Sequence, residues 1–188
     1  MIGEIFITRS GYDPELGKLV KDPYLGDVPS LGICRPDIRK RVVPGDYIFV
    51  VSGKVPGAQQ YVIGGFEVED KIHAMAAFRR FPEQRLKQLG GGQIGGNIIV
   101  NARGRQHRLD EHTGFERRID NYVIGKNPIA LTTPAEIARG RAETLDVLRE
   151  IMRKPGQAPI NVIGRGSKLT EEQVLQLRDW LYSIKTAR

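Results

Sequence analysis

Cys34-Arg-Pro-Asp-Ile-Arg-Lys-Arg-Val-Val-Pro-Gly-Asp-Tyr-Ile-Phe-Val-Val-Ser-Gly53, taken with Tyr61-Val-Ile-Gly-Gly-Phe-Glu-Val-Glu-Asp70, decides how the rest of the chain is read. Pro36 to Arg41 predicts a short basic helical turn. Proline at a first-turn position gives up only an N–H that has no intrahelical partner, and Ile38 and Val42 are spaced to bury one side. Pro44-Gly45-Asp46 is a turn, because proline presets φ and glycine supplies the positive φ that other residues resist. Tyr47 to Val51 is a near-continuous β-branched and aromatic run, the pattern of a strand buried on both faces. Gly53 to Gln60 is a loop and Tyr61 to Asp70 the returning strand, with Gly64 and Gly65 marking a bulge or a close backbone approach. Helical turn, corner and paired strands predict the centre of a small barrel.

Outward on the N-terminal side, Ile5 and Ile7 alternate along a strand from Ile2 to Thr8, with Phe6 between them. Ser10 to Leu31 is then a long loop rich in Gly, Pro and Asp, and loops of that length inside a compact domain are usually functional or disordered. On the C-terminal side, Lys71 to Leu89 has helical spacing with Ala74, Met75, Ala77 and Phe78 apolar, and Pro82 divides it in two. Gly90-Gly-Gly-Gln-Ile-Gly-Gly96 lacks the Gly-Lys-Ser/Thr ending of a phosphate loop and is read as a flexible connection to a strand at Asn97 to Asn101. Ala102 to Arg118 is a basic loop, and Asp120 to Gly125 is a further strand.

The C-terminal third changes character. Thr133, Pro134 and Glu136 supply an N-cap, a first-turn proline and a capping-box acid for a helix whose apolar stripe is Ile137, Leu145, Val147, Leu148 and Ile151. Pro155-Gly156 ends it, and Pro159 to Gly164 is a short apolar segment and turn. Thr170 and Gln173 form a second capping box. It opens a final helix with Val174, Leu175, Leu177, Trp180, Leu181 and Ile184 inward and Lys185 and Arg188 at its negative end. The expected organisation is a barrel domain with inserted helices over residues 1–128 and a C-terminal helical extension packed on it over 129–188.

Lys and Arg number 29 against 22 Asp and Glu, a formal net charge of +7, which favours an anionic partner and nucleic acid first; a solvated cationic face is the plain alternative. Arg35 and Arg39 on the helical turn and Arg103, Arg105 and Arg117 on the basic loop are candidates for phosphate contacts. A single cysteine leaves no internal disulfide and no thiolate-rich zinc site; Cys34 beside Arg35 reads as a buried structural thiol, since no base is placed near it. His107, Asp110 and His112 resemble a metal set, yet a loop fixes no spacing and a third strong ligand is missing, so neither a metal nor another cofactor is expected. Glu67, Glu69, Asp70 and His73 form the densest titratable cluster, open to acid–base work or a divalent cation, with an exposed strand end as the favoured reading. No catalytic residue is assigned. No apolar run approaches the roughly 20 residues that span a bilayer, so the expectation is a cytoplasmic protein without a membrane partner.

The phrase Cys34-Arg35-Pro36-Asp37-Ile38-Arg39 with Gly45-Asp46-Tyr47-Ile48, then Ser-Gly and Tyr-Val-Ile-Gly-Gly-Phe-Glu-Val, resembles the PUA-like superfamily of EVE, ASCH and YTH domains, and above all the nucleotide-modification-associated domains. That resemblance implies an α+β fold: a small mixed β-barrel of five or six strands flanked by helices. It also implies a base or nucleotide received beside the end of the first strand. Thr8, Arg9, Ser10 and Tyr12, with Ser52, Gly53 and Lys54, then become the pocket: hydroxyls and guanidinium for base edges or phosphate, and a ring for stacking. The expected function is binding of nucleic acid or a nucleotide, with a modified base as a candidate ligand. The rivals are a hydrolase or nuclease built on Glu67, Glu69, Asp70 or His73, and a protein-interaction module using the C-terminal helices. DNA against RNA, the base modification and the oligomeric state are left open.

Overall fold

β1 (Gly3–Ile7) lies inside a six-stranded sheet, and the structure, a computed structural model, describes residues 1–186. The other strands are β2 (Ser30–Leu31), β3 (Tyr47–Val51), β4 (Val62–Ile72), β7 (Tyr122–Ala130) and β8 (Gly166–Leu169), in the order β2-β7-β4-β3-β1-β8. A two-stranded ribbon, β5 (Lys87–Gln88) with β6 (Ile94–Gly95), stands apart from it. Only β1 and β3 run parallel; the other pairings in the sheet are antiparallel. The sheet curls into a half-barrel whose edges, β2 and β8, are not neighbours in it, and six α-helices accompany it among the described residues. No helix among them is long and apolar enough to cross a membrane.

The segment quoted first folds as its residues direct. α1 (Pro36–Arg41) has proline in its first turn and buries Ile38; Gly45 takes φ 91° at the corner, and every residue of β3 is buried. Asp46 fixes that corner by accepting from the amides of Val43 (2.9 Å) and Ile2 (3.0 Å), which ties it to the chain end leading into β1. The bulge expected near the two glycines is present: the register passes from Val50↔Gly64 to Val51↔Val62, leaving Ile63 as the extra residue of β4. A side chain on Gly65 would meet the Phe49 ring and, at 2.6 Å, the Ile48 carbonyl oxygen, so glycine is what permits the strands to close there.

α4 (Pro134–Met152) starts with the anticipated Thr133–Glu136 capping box and buries Ile137, Leu148 and Ile151. α6 (Glu171–Thr186) buries Val174, Leu177, Leu181 and Ile184 in the same core as β1, β3 and β4. Burying aliphatic side chains of this kind contributes about 1.5–3 kcal/mol each. Leu145, Val147 and Trp180 pack partly buried on that core, and Trp180 donates to Glu143 at 2.8 Å, so the tryptophan is a packing residue. Arg188 lies outside the described residues. On the far side, α2 (Ala74–Arg80) joins Phe81, Ile98, Val100 and Tyr122 in a second cluster.

Several expectations are corrected. Lys71 and Ile72 extend β4, because they keep pairing with β7, and the helix begins only at Ala74. Beyond Pro82 the chain makes a 3-10 turn and then β5, so the glycine run is the tip of a ribbon rather than a bridge from helix to strand. Asn97 to Asn101 makes isolated bridges only, at Ile98 and Val100. The 128/129 boundary falls within β7. The 129–188 segment contributes α4, α5 (Pro159–Ile163) and α6 and also an edge strand, β8, paired antiparallel to β1.

Two buried side-chain polar atoms are left over among the described residues, the Tyr61 hydroxyl and Arg178 Nε. Tyr61 is fully buried and its hydroxyl has no hydrogen-bond partner among the described residues; burial, with the Asp13 charge, pushes that phenol to higher pKa. Tyr61→Phe is therefore expected to leave stability unchanged or raise it by up to about 1 kcal/mol, because an unpaired buried hydroxyl costs free energy. A lowered thermal midpoint would show that the hydroxyl is satisfied in solution.

Candidate functional site

β1 delivers Thr8 to the sheet's end, and the turn that follows is pinned to the segment after β3. Thr8 donates its amide to Val51 (3.0 Å), Gly11 to Lys54 (2.9 Å), and Gly53 to Tyr12 (2.7 Å). The Ser10 hydroxyl donates to the Lys54 carbonyl at 3.2 Å. Gly53 has no room for a Cβ, which would strike the Arg9 carbonyl oxygen. The approach of these two backbones is what opens a cleft beyond the strand ends. It has a volume of about 730 Å³ and is lined by Ile7, Thr8, Arg9, Ser10, Arg35, Lys54, Gln60, Ile160 and Arg165.

Four of those side chains are cationic, and among the described residues no carboxylate lines the cleft. Arg9, Lys54 and Arg165 are exposed. Arg35 is held differently. Its backbone is left-handed at φ 48°, a conformation that costs a non-glycine residue free energy, and its side chain is clamped to Asp37 at 2.9 and 2.7 Å with a third bond to the Arg165 carbonyl (3.0 Å). The same guanidinium lies 5.6 Å from the Phe6 ring centre. Hydrogen bonding to Arg35 draws the Asp37 carboxyl down to about 2. A folded-state pKa below the ordinary carboxylate value contributes stability that is present above about pH 4 and lost as pH falls toward 2. Asp37 is half exposed, so the contribution is at most about 1 kcal/mol. Asp37→Asn should flatten the acid limb of stability against pH by that amount, measured by thermal melts from pH 5 to 2; an unchanged limb would assign it to other carboxylates.

A second cavity of about 270 Å³ adjoins the cleft, sharing Thr8 and Arg9 with it; Tyr12, Lys21, Cys34, Leu109 and His112 are among its walls. Asp22 forms part of its floor and is the hub of a buried polar network. Its oxygens accept from the amides of Gly32 (2.7 Å), Ile33 (2.9 Å) and Cys34, and from Asn97 Nδ2 (3.1 Å). Asn97 also donates to Ser30 Oγ (2.9 Å), and the Tyr122 hydroxyl donates to Asn97 Oδ1 (2.8 Å). Burial, reinforced by the Asp22 charge and hydrogen bond, pushes the Cys34 thiol up, which makes it an inert thiol as its sequence context suggested.

Thr8, Arg9, Ser10, Arg35 and Lys54 thus meet in one cleft, and Tyr12 stands in the adjoining cavity. The remaining candidates do not line either space. Arg39 is 1% exposed and points into the protein, where its guanidinium donates to the carbonyls of Asn121 (2.8 Å), Arg118 (2.9 Å) and Cys34 (3.1 Å). Ser52 is fully buried and its hydroxyl accepts from the Tyr61 amide (3.1 Å); Gly53 serves the backbone approach. Arg103 and Arg105 are exposed on the basic loop and Arg117 on a one-turn helix, α3 (Glu116–Ile119), that ends the expected loop early; none of the three is in the cleft lining. Gln60, Ile160 and Arg165 belong to the cleft and were not anticipated; the glycines either side of Arg165, with Gly164 at φ 60°, were the available signal of a turn presenting it.

Three of the four residues of the acidic cluster are engaged locally, and Glu69 is exposed. Glu67 is engaged by Lys126 (3.3 Å) and Asn127 (2.9 Å), the Asp70 carboxylate accepts from the Lys71 amide (2.7 Å), and His73 caps α2 by accepting from Met75 (3.1 Å). Among the described residues no group of three His, Cys, Asp or Glu side chains is placed to hold a metal. No family model, no curated protein and no solved structure matches this chain.

Proposed function

We infer that this protein binds nucleic acid or a nucleotide through the cleft at the end of β1, on a PUA-like half-barrel. The observation that carries this is the gathering of the exposed cations Arg9, Lys54 and Arg165 around one cavity whose described lining includes no carboxylate, with Arg35, paired to Asp37, in its frame. Cations so placed repel one another, and a phosphate relieves that repulsion while releasing its own condensed counterions. Thr8 and Ser10 add hydroxyls for phosphate or sugar oxygens, and Gln60 adds an amide that can both donate and accept. The adjoining cavity, walled by Tyr12 and Leu109, has space for a splayed base, modified or not, to leave the stack and enter.

Fluorescence anisotropy with matched single- and double-stranded oligonucleotides, with and without modified bases, at two salt concentrations tests the reading. Binding should weaken steeply with salt, with a log–log slope of about −0.7 to −0.9 per phosphate engaged. Tighter binding of one modified oligonucleotide would identify the base held beside Tyr12. Absence of binding to every oligonucleotide and to free nucleotides at low salt would defeat it.

A further inference from the structure

His112 is one wall of the smaller cavity, and outside the lining Asp110 pairs with it in a way that binding alone does not require. Asp110 Oδ1 lies 2.6 Å from His112 Nδ1; the carboxylate is 1% exposed and the imidazole 43% exposed. Asp110 is itself fixed, since Gln106 Nε2 donates to its other oxygen at 2.9 Å and to its carbonyl at 3.1 Å. A buried carboxylate at Nδ1 holds the ring proton there. Nε2 then keeps a free lone pair, the arrangement of an oriented general base. Lys21 lines the same cavity. Burial pushes the Lys21 ammonium toward giving up its proton, opposed by the charges of Asp22, Asp110 and Glu111, with burial prevailing. Arg9 stands at the junction with the cationic cleft. Of the two carboxylates in the cavity wall, Asp22 is occupied by three amides and Asn97, and Glu111 is on the exposed rim.

We propose that this cavity is the reaction centre of a ribonuclease, in which RNA held by its phosphates along the cleft is cut by transesterification with His112 as general base and Lys21 as general acid. The proposal rests on the nucleic-acid reading of the cleft and adds a reaction to it. His112 Nε2 takes the proton of the ribose 2′-hydroxyl, and the 2′-oxygen forms a bond to phosphorus. The bond from phosphorus to the 5′-oxygen breaks, its electron pair stays on that oxygen, and the oxygen takes a proton from the Lys21 ammonium. Arg9 faces the charge that builds on the non-bridging oxygens. The products are a 2′,3′-cyclic phosphate and a 5′-hydroxyl, and water restores both side chains by proton exchange. RNA is the class indicated because it carries its own nucleophile, so a base, an acid and cations suffice. Asp110 acts through His112 and is a positioning residue.

The test uses the full chain with a 5′-labelled RNA, the same sequence as DNA and as 2′-O-methyl RNA, in EDTA, with anisotropy recorded on the same oligonucleotides. RNA should be cut to fragments ending in a cyclic phosphate, while the DNA and the 2′-O-methyl strand are bound and stay intact. His112→Gln, at an exposed position, should slow single-turnover cutting of saturating RNA by about 100-fold or more while the RNA remains bound. Asp110→Asn should lower the single-turnover cutting rate while RNA stays bound, and Asp110→Glu should restore part of that rate; loss of binding and cutting together in both variants would show a merely structural role. RNA that is bound but uncut, or cutting that survives His112→Gln, overturns the ribonuclease and leaves the binding function standing. Failure of every oligonucleotide to bind overturns both.

Discussion

Arg39→Met is expected to destabilise the protein by about 3–5 kcal/mol, the largest effect of any single change considered. Methionine keeps an unbranched apolar stem but removes the guanidinium from its ring of main-chain acceptors. The carbonyls of Cys34, Arg118 and Asn121 would each lose a donor held at 3.1, 2.9 and 2.8 Å. The Asp22 carboxylate, which grips the other side of the same segment through the Gly32, Ile33 and Cys34 amides, would lose its nearby opposite charge. At about 2–4 °C per kcal/mol for a chain of this size, the thermal midpoint should fall by roughly 6–20 °C. Arg39→Lys should recover only part of the loss, since one ammonium cannot address acceptors spread around a planar fork. The folded fraction of either variant should bind oligonucleotide as the parent does. A midpoint within about 2 °C of the parent, together with weakened binding, would instead return Arg39 to the role of a phosphate contact.

Arg9, Lys54 and Arg165 changed together to alanine should weaken nucleic-acid binding by about 100-fold, at roughly 1 kcal/mol for each cation and a factor of ten for every 1.4 kcal/mol. The slope of affinity against salt should drop by about 2–3, the counterions of three phosphates. Stability should barely change, because these three side chains are exposed on the cleft. Arg35 is left in place, since its bidentate contact with Asp37 and its bond to the Arg165 carbonyl make it part of the cleft's frame. The matched control is the triple alanine variant of Arg103, Arg105 and Arg117. It removes the same charge from a surface that the cleft does not include, and is expected to change affinity by less than about threefold through the long-range field alone. Equal losses from the two triples would mean that net charge, and not the cleft, governs binding.

Whatever depends on neighbouring residues could be read from the chain directly. Pro36 starts α1, Gly45 turns the corner, Val50 and Val51 continue a buried strand, and Thr133 with Glu136 opens α4, each by a preference acting over one turn or one strand. Thr8 to Ser10 and Lys54 are candidates through the family resemblance and not through any local pattern; what the structure adds is that they line one cleft. Distance along the chain decided the rest. Gly166–Leu169 is too short and too polar to announce a strand, and becomes one only because β1 offers it an unpaired edge some 160 residues earlier in the sequence. That pairing is also what brings Arg165 to the cleft. Arg39 and Arg35 look alike in the sequence, four residues apart on one basic turn, and only packing shows that one is sealed inside among carbonyls while the other borders the cleft. Burial and long-range register are properties of the whole folded chain, settled when distant segments exclude water together, and no window of the sequence contains them.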